Sequence, residues 1–87
     1  MLYKIILLSA AEKLYRKIAL SNQELLSRID NAFDSLKNNP FLGRSLKDKL
    51  KGKFSLRVGV YRIIYSIKKK ELIIYILDTA HRREVYR

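Results

Sequence analysis

Cysteine is absent from this chain, which excludes disulfides, thiolate nucleophiles and cysteine-based zinc sites. There is one histidine, His81, and it cannot build a multi-histidine metal centre. The 8 acidic residues are scattered, so no carboxylate cage for a divalent cation is visible and no metal or other cofactor is expected. With 3 glycines and 1 proline, the chain does not resemble a linker or a collagen-like repeat. No apolar run reaches the roughly 20 residues of a membrane span. The run Leu2–Leu8 is broken by Lys4 and lacks the basic leader and small-residue cleavage site of a signal peptide. A soluble cytoplasmic protein without a membrane partner is the expectation.

The 87 residues suit one domain, 1–87, and 48% of them are hydrophobic, enough for a modest core. A chain of this size buries only about 60–65% of the surface its unfolded form exposes, so stability gained from a partner would count. The charge is the most informative quantity. Lysine and arginine number 19, for a formal net charge of +11. Residues 1–43 hold 6 basic and 4 acidic residues, whereas residues 44–87 hold 13 and 4. So lopsided a distribution points to a polyanion partner, and nucleic acid is the commonest.

Leu2–Leu8 reads as a strand, with its β-branched and aromatic residues. Ser9 and Glu12 have capping-box spacing and predict a helix to about Ala19; Ser21 and Glu24 repeat that spacing and predict a second helix after almost no loop. Leu25, Leu26, Ile29, Ala32, Phe33 and Leu36 recur at the helical period and form one apolar stripe. Asn38-Asn39-Pro40 ends this helix, because the residue before a proline avoids the helical conformation. Phe41 to Lys51 reads as a connection anchored by Phe41, Leu42, Leu46 and Leu50. In Lys53–Val58, Phe54, Leu56 and Val58 alternate with Lys53, Ser55 and Arg57, the pattern of a half-buried strand. Val60–Ile67 and Leu72–Leu77 are nearly continuous apolar runs suited to interior strands, with a hairpin tip at Lys68-Lys69-Lys70. Thr79–Arg87 reads as a short basic tail. The expected class is α+β: an N-terminal strand, a helical hairpin and a three-stranded antiparallel meander. The helices cover one face of the sheet, and Lys53, Arg57 and Arg62 lie on the other.

Three segments, Asn39-Pro40-Phe41-Leu42-Gly43, Leu56-Arg57-Val58-Gly59-Val60-Tyr61-Arg62-Ile63-Ile64-Tyr65 and His81-Arg82-Arg83-Glu84-Val85-Tyr86, resemble the RelE/ParE toxin superfamily in order and spacing. The resemblance implies a RelE-like fold and the toxin of a type II toxin–antitoxin system, one that enters the ribosome and cuts mRNA. It implies a cognate RelB-like antitoxin as partner, with operator DNA reached only through that antitoxin. The family's functional positions fall on Lys53, Arg62, Arg82 and Tyr86, and Lys49, Lys51, Arg57, His81 and Arg83 are the expected RNA contacts. RelE-like toxins usually carry a further basic residue where this chain has Ser55, a departure that predicts slower cleavage.

Cleavage through the neighbouring 2′-hydroxyl needs a base, cations for the extra phosphate charge, and an acid for the departing 5′ oxygen. Two histidines would be the simplest acid–base pair, and this chain has one. Crowded cations favour proton loss from lysine and stabilise tyrosinate, so Lys53 or Tyr86 is the expected base and Arg62 the phosphate clamp. Arg82 supports the leaving group, although arginine is a poor proton donor. Such a site depends on a substrate held in line by something larger, in keeping with the ribosome. The plainer readings are a structural ion pair for Arg62, a packing role for Tyr86 and a solvated strand lysine for Lys53. His81 is expected to be structural or to touch phosphate rather than act as the base. Two other functions stay open: a ParE-like, noncatalytic inhibitor of DNA gyrase, and a noncatalytic RNA-binding module.

Overall fold

The computed structural model describes residues 2–81. Strand β1 (Lys4–Leu7) leads into helices α1 (Ser9–Ser21) and α2 (Gln23–Asn38). Then come β2 (Arg44–Ser45), a 3-10 turn at Asp48–Leu50, β3 (Phe54–Val58), β4 (Tyr61–Lys68) and β5 (Ile73–His81). All five strands join one sheet in the order β1-β5-β4-β3-β2. The expected α+β class holds, with two additions. Strand β2 extends the meander, and β1 lies parallel to β5, with the helical hairpin carrying the chain from β1 at one edge of the sheet to β2 at the other. Thr79, Ala80 and His81, expected in the tail, continue β5.

Neither helix starts with the expected capping box. Leu8 takes the N-cap of α1 without a side-chain bond, Ser9 is already helical, and Glu12 pairs with Arg16 at 2.6 Å. At α2 the cap is Asn22, whose backbone lies outside the helical region and whose side chain accepts from the Leu25 N–H at 3.1 Å. Ser21 closes α1 instead, its hydroxyl donating to the Lys17 carbonyl at 2.8 Å. A serine in the last turn of a helix finds open carbonyls behind it, and here that local bond wins.

The stripe on α2 behaves as its period demands. Ile29, Phe33 and Leu36 are buried, with Ala11 and Ile18 of α1, against Val58, Ile63, Tyr65, Ile74 and Ile76 of the sheet. The two helices are also joined by the Tyr15 hydroxyl, which donates to Asp30 Oδ1 at 2.6 Å, and by the stacking of Tyr15 on Phe33. The hydrogen bond to the carboxylate, with burial second, pushes Tyr15 up to about 12. A phenol raised in the folded state stabilises fully below its ordinary value of 10 and loses that contribution as pH rises through 12. Tyr15→Phe is therefore expected to cost about 1 kcal/mol at neutral pH. The gap from wild type should close at strongly alkaline pH, which urea unfolding of both proteins across that range will measure.

Phe41 and Leu42, expected to anchor the connection after α2, are 49% and 48% exposed, though the Phe41 ring meets Phe54 edge-on with centroids 5.8 Å apart and the other two expected anchors, Leu46 and Leu50, are half-buried. The segment is held from the other side. Tyr65 is fully buried in the sheet, donates to the Pro40 carbonyl at 2.8 Å and accepts from the Gly43 N–H at 2.9 Å. One phenol thus satisfies two backbone groups of a segment that has no ladder of its own. Burial pushes the Tyr65 hydroxyl up from its ordinary value, against a smaller opposing effect of the Gly43 bond. Gly43 must be glycine: a Cβ there would lie 2.6 Å from the Tyr65 oxygen and 2.7 Å from the Ser55 carbonyl oxygen.

Candidate active site

Strands β3 and β4 are joined by two residues, Gly59 and Val60, and Gly59 has φ of 60°. A two-residue hairpin turn needs such a left-handed position, and glycine supplies it without a Cβ penalty. That turn sets Val58 opposite Tyr61 and therefore Arg57 opposite Arg62. Residues opposite each other in an antiparallel pair share a face, with Cβ atoms about 4.5–5.5 Å apart. Because Leu56, Val58, Ile63 and Tyr65 pack toward the helices, Arg57, Arg62 and Ser55 emerge on the other face. Strand β2 brings Arg44 directly opposite Ser55.

On its other side β4 pairs with β5 through a bulge. Ile64 faces Asp78 while Tyr65 faces Ile76, so Leu77 is the extra residue. Strict alternation from Ile74 and Ile76 would turn Asp78 into the core. The bulge releases it to the open face, where it is exposed. The described strand then ends with Ala80 opposite Arg62 and His81 opposite Tyr61.

The centre of this face is a buried cation. Arg62 is 8% exposed, and its Nη1 donates at 3.2 Å to the hydroxyl of Ser55, itself 3% exposed. Arg44 and Arg57 are exposed on either side. With Leu42, Gly43 and Leu56 these four residues line a cleft of about 330 Å³. Among the described residues neither Arg44 nor Arg57 is ion-paired; the pairs of Arg16 with Glu12, Arg28 with Glu24 and Lys37 with Asp34 all lie on the helices. Facing like charges cost stability in a sheet. A cleft built this way offers guanidinium donors to an anion.

Of the residues singled out from the sequence, Arg57 and Arg62 meet in the cleft. Lys53 precedes β3, alternates with Ser55 and Arg57, and is half-buried, but it does not line the cleft. Its backbone is fixed by the Leu46 N–H on its carbonyl at 2.9 Å and by its own N–H on the Leu50 carbonyl at 3.0 Å. Lys49 and Lys51 are exposed at the 3-10 turn and outside the cleft. His81 closes β5, while Arg82, Arg83 and Tyr86 lie outside the described residues. Arg44 escaped the sequence reading, because a two-residue strand is too short to show a period; the glycine before it was the only local sign of a close approach. Among the described residues no three histidine, aspartate or glutamate side chains gather.

A second cleft, of about 690 Å³, is lined by Phe41, Phe54, Ile67, Glu71 and the three lysines Lys68 to Lys70. Lys69 stands 5.0 Å from the centre of the Phe41 ring.

A family model for the ParE toxin of the type II toxin–antitoxin system parDE matches residues 5–86. Toxin RelG of Mycobacterium tuberculosis is 36% identical over 64 residues, a stretch covering 72% of this chain and 74% of RelG. Among solved structures, the toxin–antitoxin complex RelBE2 from the same organism matches with a TM-score of 0.80 and 28% identity, covering 94% of this chain and 100% of that one. The archaeal RelE–RelB complex from Pyrococcus horikoshii matches with a TM-score of 0.78 over 94% of this chain and 97% of that one. Its identity, 23%, makes it a likeness of fold alone.

Proposed function

Since this chain belongs to the RelE/ParE superfamily, the toxins of type II toxin–antitoxin systems, we propose that it is a ribosome-dependent endoribonuclease that cuts mRNA and so stops translation. One observation carries the reading: the buried Arg62 and the exposed Arg44 and Arg57, without an ion pair among the described residues, surround a cleft on the open face of the sheet. A guanidinium fork matches the geometry of two phosphate oxygens, which an ammonium does not.

In the proposed reaction the 2′-oxygen attacks the adjacent phosphorus and the bond to the 5′ oxygen breaks. A cyclic phosphate and a 5′-hydroxyl result. Arg62 holds the phosphoryl oxygens as their charge grows. Lys53 or Tyr86 takes the 2′ proton, Arg82 stabilises charge on the departing oxygen, and that oxygen takes its proton from water. Lys49, Lys51, Arg57, His81 and Arg83 hold the flanking RNA. The ribosome aligns the message, and alignment supplies most of what this acid–base set lacks. A cognate RelB-like antitoxin completes the proposal: an acidic chain would be drawn to the basic half of the molecule and to the lysine-rimmed apolar cleft.

The test is a defined message on purified ribosomes, read by primer extension. Cuts within codons on ribosome-bound message, and none on the same RNA alone, are expected. The ParE description of the matching family model favours a second reading, inhibition of DNA gyrase without chemistry. Intact message together with blocked supercoiling would put that reading first. Salt-sensitive RNA binding with neither activity would leave a noncatalytic RNA-binding module.

A further inference from the structure

Ser55 carries no charge at the centre of a cation-lined cleft, and its surroundings give that uncharged side chain a positive role. The side chain is 3% exposed, and its oxygen accepts from Arg62 Nη1 at 3.2 Å. A lysine in its place would bring an ammonium against the guanidinium that the serine now supports. The strand register supplies a cation from elsewhere: Arg44 lies directly opposite Ser55 on β2, as Arg57 lies opposite Arg62 on β4. Arg44 is also on a fixed segment, because the Gly43 N–H is bound by buried Tyr65 and the Gly43 Cα approaches the Ser55 carbonyl too closely for any side chain.

From this geometry we infer that Arg44 contributes the phosphate-binding charge that position 55 lacks, and that Ser55 is a positioning residue for Arg62. The ligand is the RNA phosphodiester, so the inference rests on the proposed function for its ligand but not for any cleavage step. Arg44 touches the phosphate from the exposed rim of the cleft. Ser55 never does: it acts through the guanidinium it holds.

The experiment uses the full chain and a short single-stranded RNA with every 2′-oxygen methylated, which binds but cannot be cut. Affinity is read by fluorescence anisotropy over a salt series. Arg44→Ala is expected to weaken binding about tenfold and to lower the salt slope by about 0.7, the loss of one phosphate contact on a single strand. Ser55→Ala should weaken binding about threefold with the slope unchanged, since it removes a hydrogen bond and no charge. Ser55→Thr, which keeps the hydroxyl, should restore wild-type affinity. On an Arg62→Ala background Ser55→Ala should have no further effect. An unchanged slope in Arg44→Ala overturns the first half of the inference. An equal loss from Ser55→Ala with and without Arg62 overturns the second. Because the probe cannot be cleaved, a chain that binds as described yet never cuts message refutes the nuclease reading and leaves the cleft intact.

Discussion

Arg62→Ala is expected to slow cleavage of ribosome-bound message by about 10²–10³-fold, the usual cost of losing a donor aimed at developing transition-state charge. The reason lies in the burial of this side chain. A guanidinium 8% exposed, steadied by a hydroxyl at 3.2 Å, gives up little freedom when phosphate arrives. Arg62→Lys keeps the charge and loses the fork, so it should fall between the two, about tenfold below wild type. The alanine variant also leaves the Ser55 hydroxyl without this donor in a closed setting, at a cost of about 1–2 kcal/mol. Thermal unfolding must therefore accompany the rate measurement. A folded Arg62→Ala protein that cuts message at the wild-type rate would remove the clamp from the proposal.

Gly43→Ala carries the largest expected effect on stability. The new methyl would sit 2.6 Å from the Tyr65 oxygen and 2.7 Å from the Ser55 carbonyl oxygen. Neither neighbour can step aside freely, since one belongs to a fully buried tyrosine and the other to the backbone of β3. A loss of about 2–3 kcal/mol is expected from overpacking, read as a lower urea midpoint. The same variant should weaken RNA binding, because the displaced segment carries Arg44. Tyr65→Phe separates the causes. It keeps the ring stacked on Phe54 and removes the hydroxyl that serves Pro40 and Gly43, so its cost should be smaller, about 1–2 kcal/mol. If Gly43→Ala unfolds at the wild-type midpoint, the connection is not held as described.

The helical hairpin, the α2 stripe, the stop before Pro40 and the three later strands were legible because each is a local pattern, repeated over enough residues to declare its period. The capping boxes were not, since Ser9 and Ser21 have the right spacing but Leu8 and Asn22 occupy the cap positions. Spacing gives the candidates for a cap; only the backbone dihedral selects one. Likewise the period of two placed Arg57 on the open face, yet the nearly continuous apolar run of β4 has no such period and could not set Arg62 opposite it. The turn at Gly59 and Val60 decides that.

By itself, then, the sequence determined the class of fold and the basic character of its second half, while the residues proposed for the chemistry came from its resemblance to a toxin superfamily. Charge and hydrophobic period are sums over neighbours along the chain, and they survive without knowledge of the fold. Tertiary structure alone decided that β1 runs parallel to β5, that a bulge turns Asp78 outward, and that Arg44 faces Ser55. Each of these depends on which distant backbone completes a hydrogen-bonded ladder, and a ladder is a property of two strands that neither strand's residues specify alone.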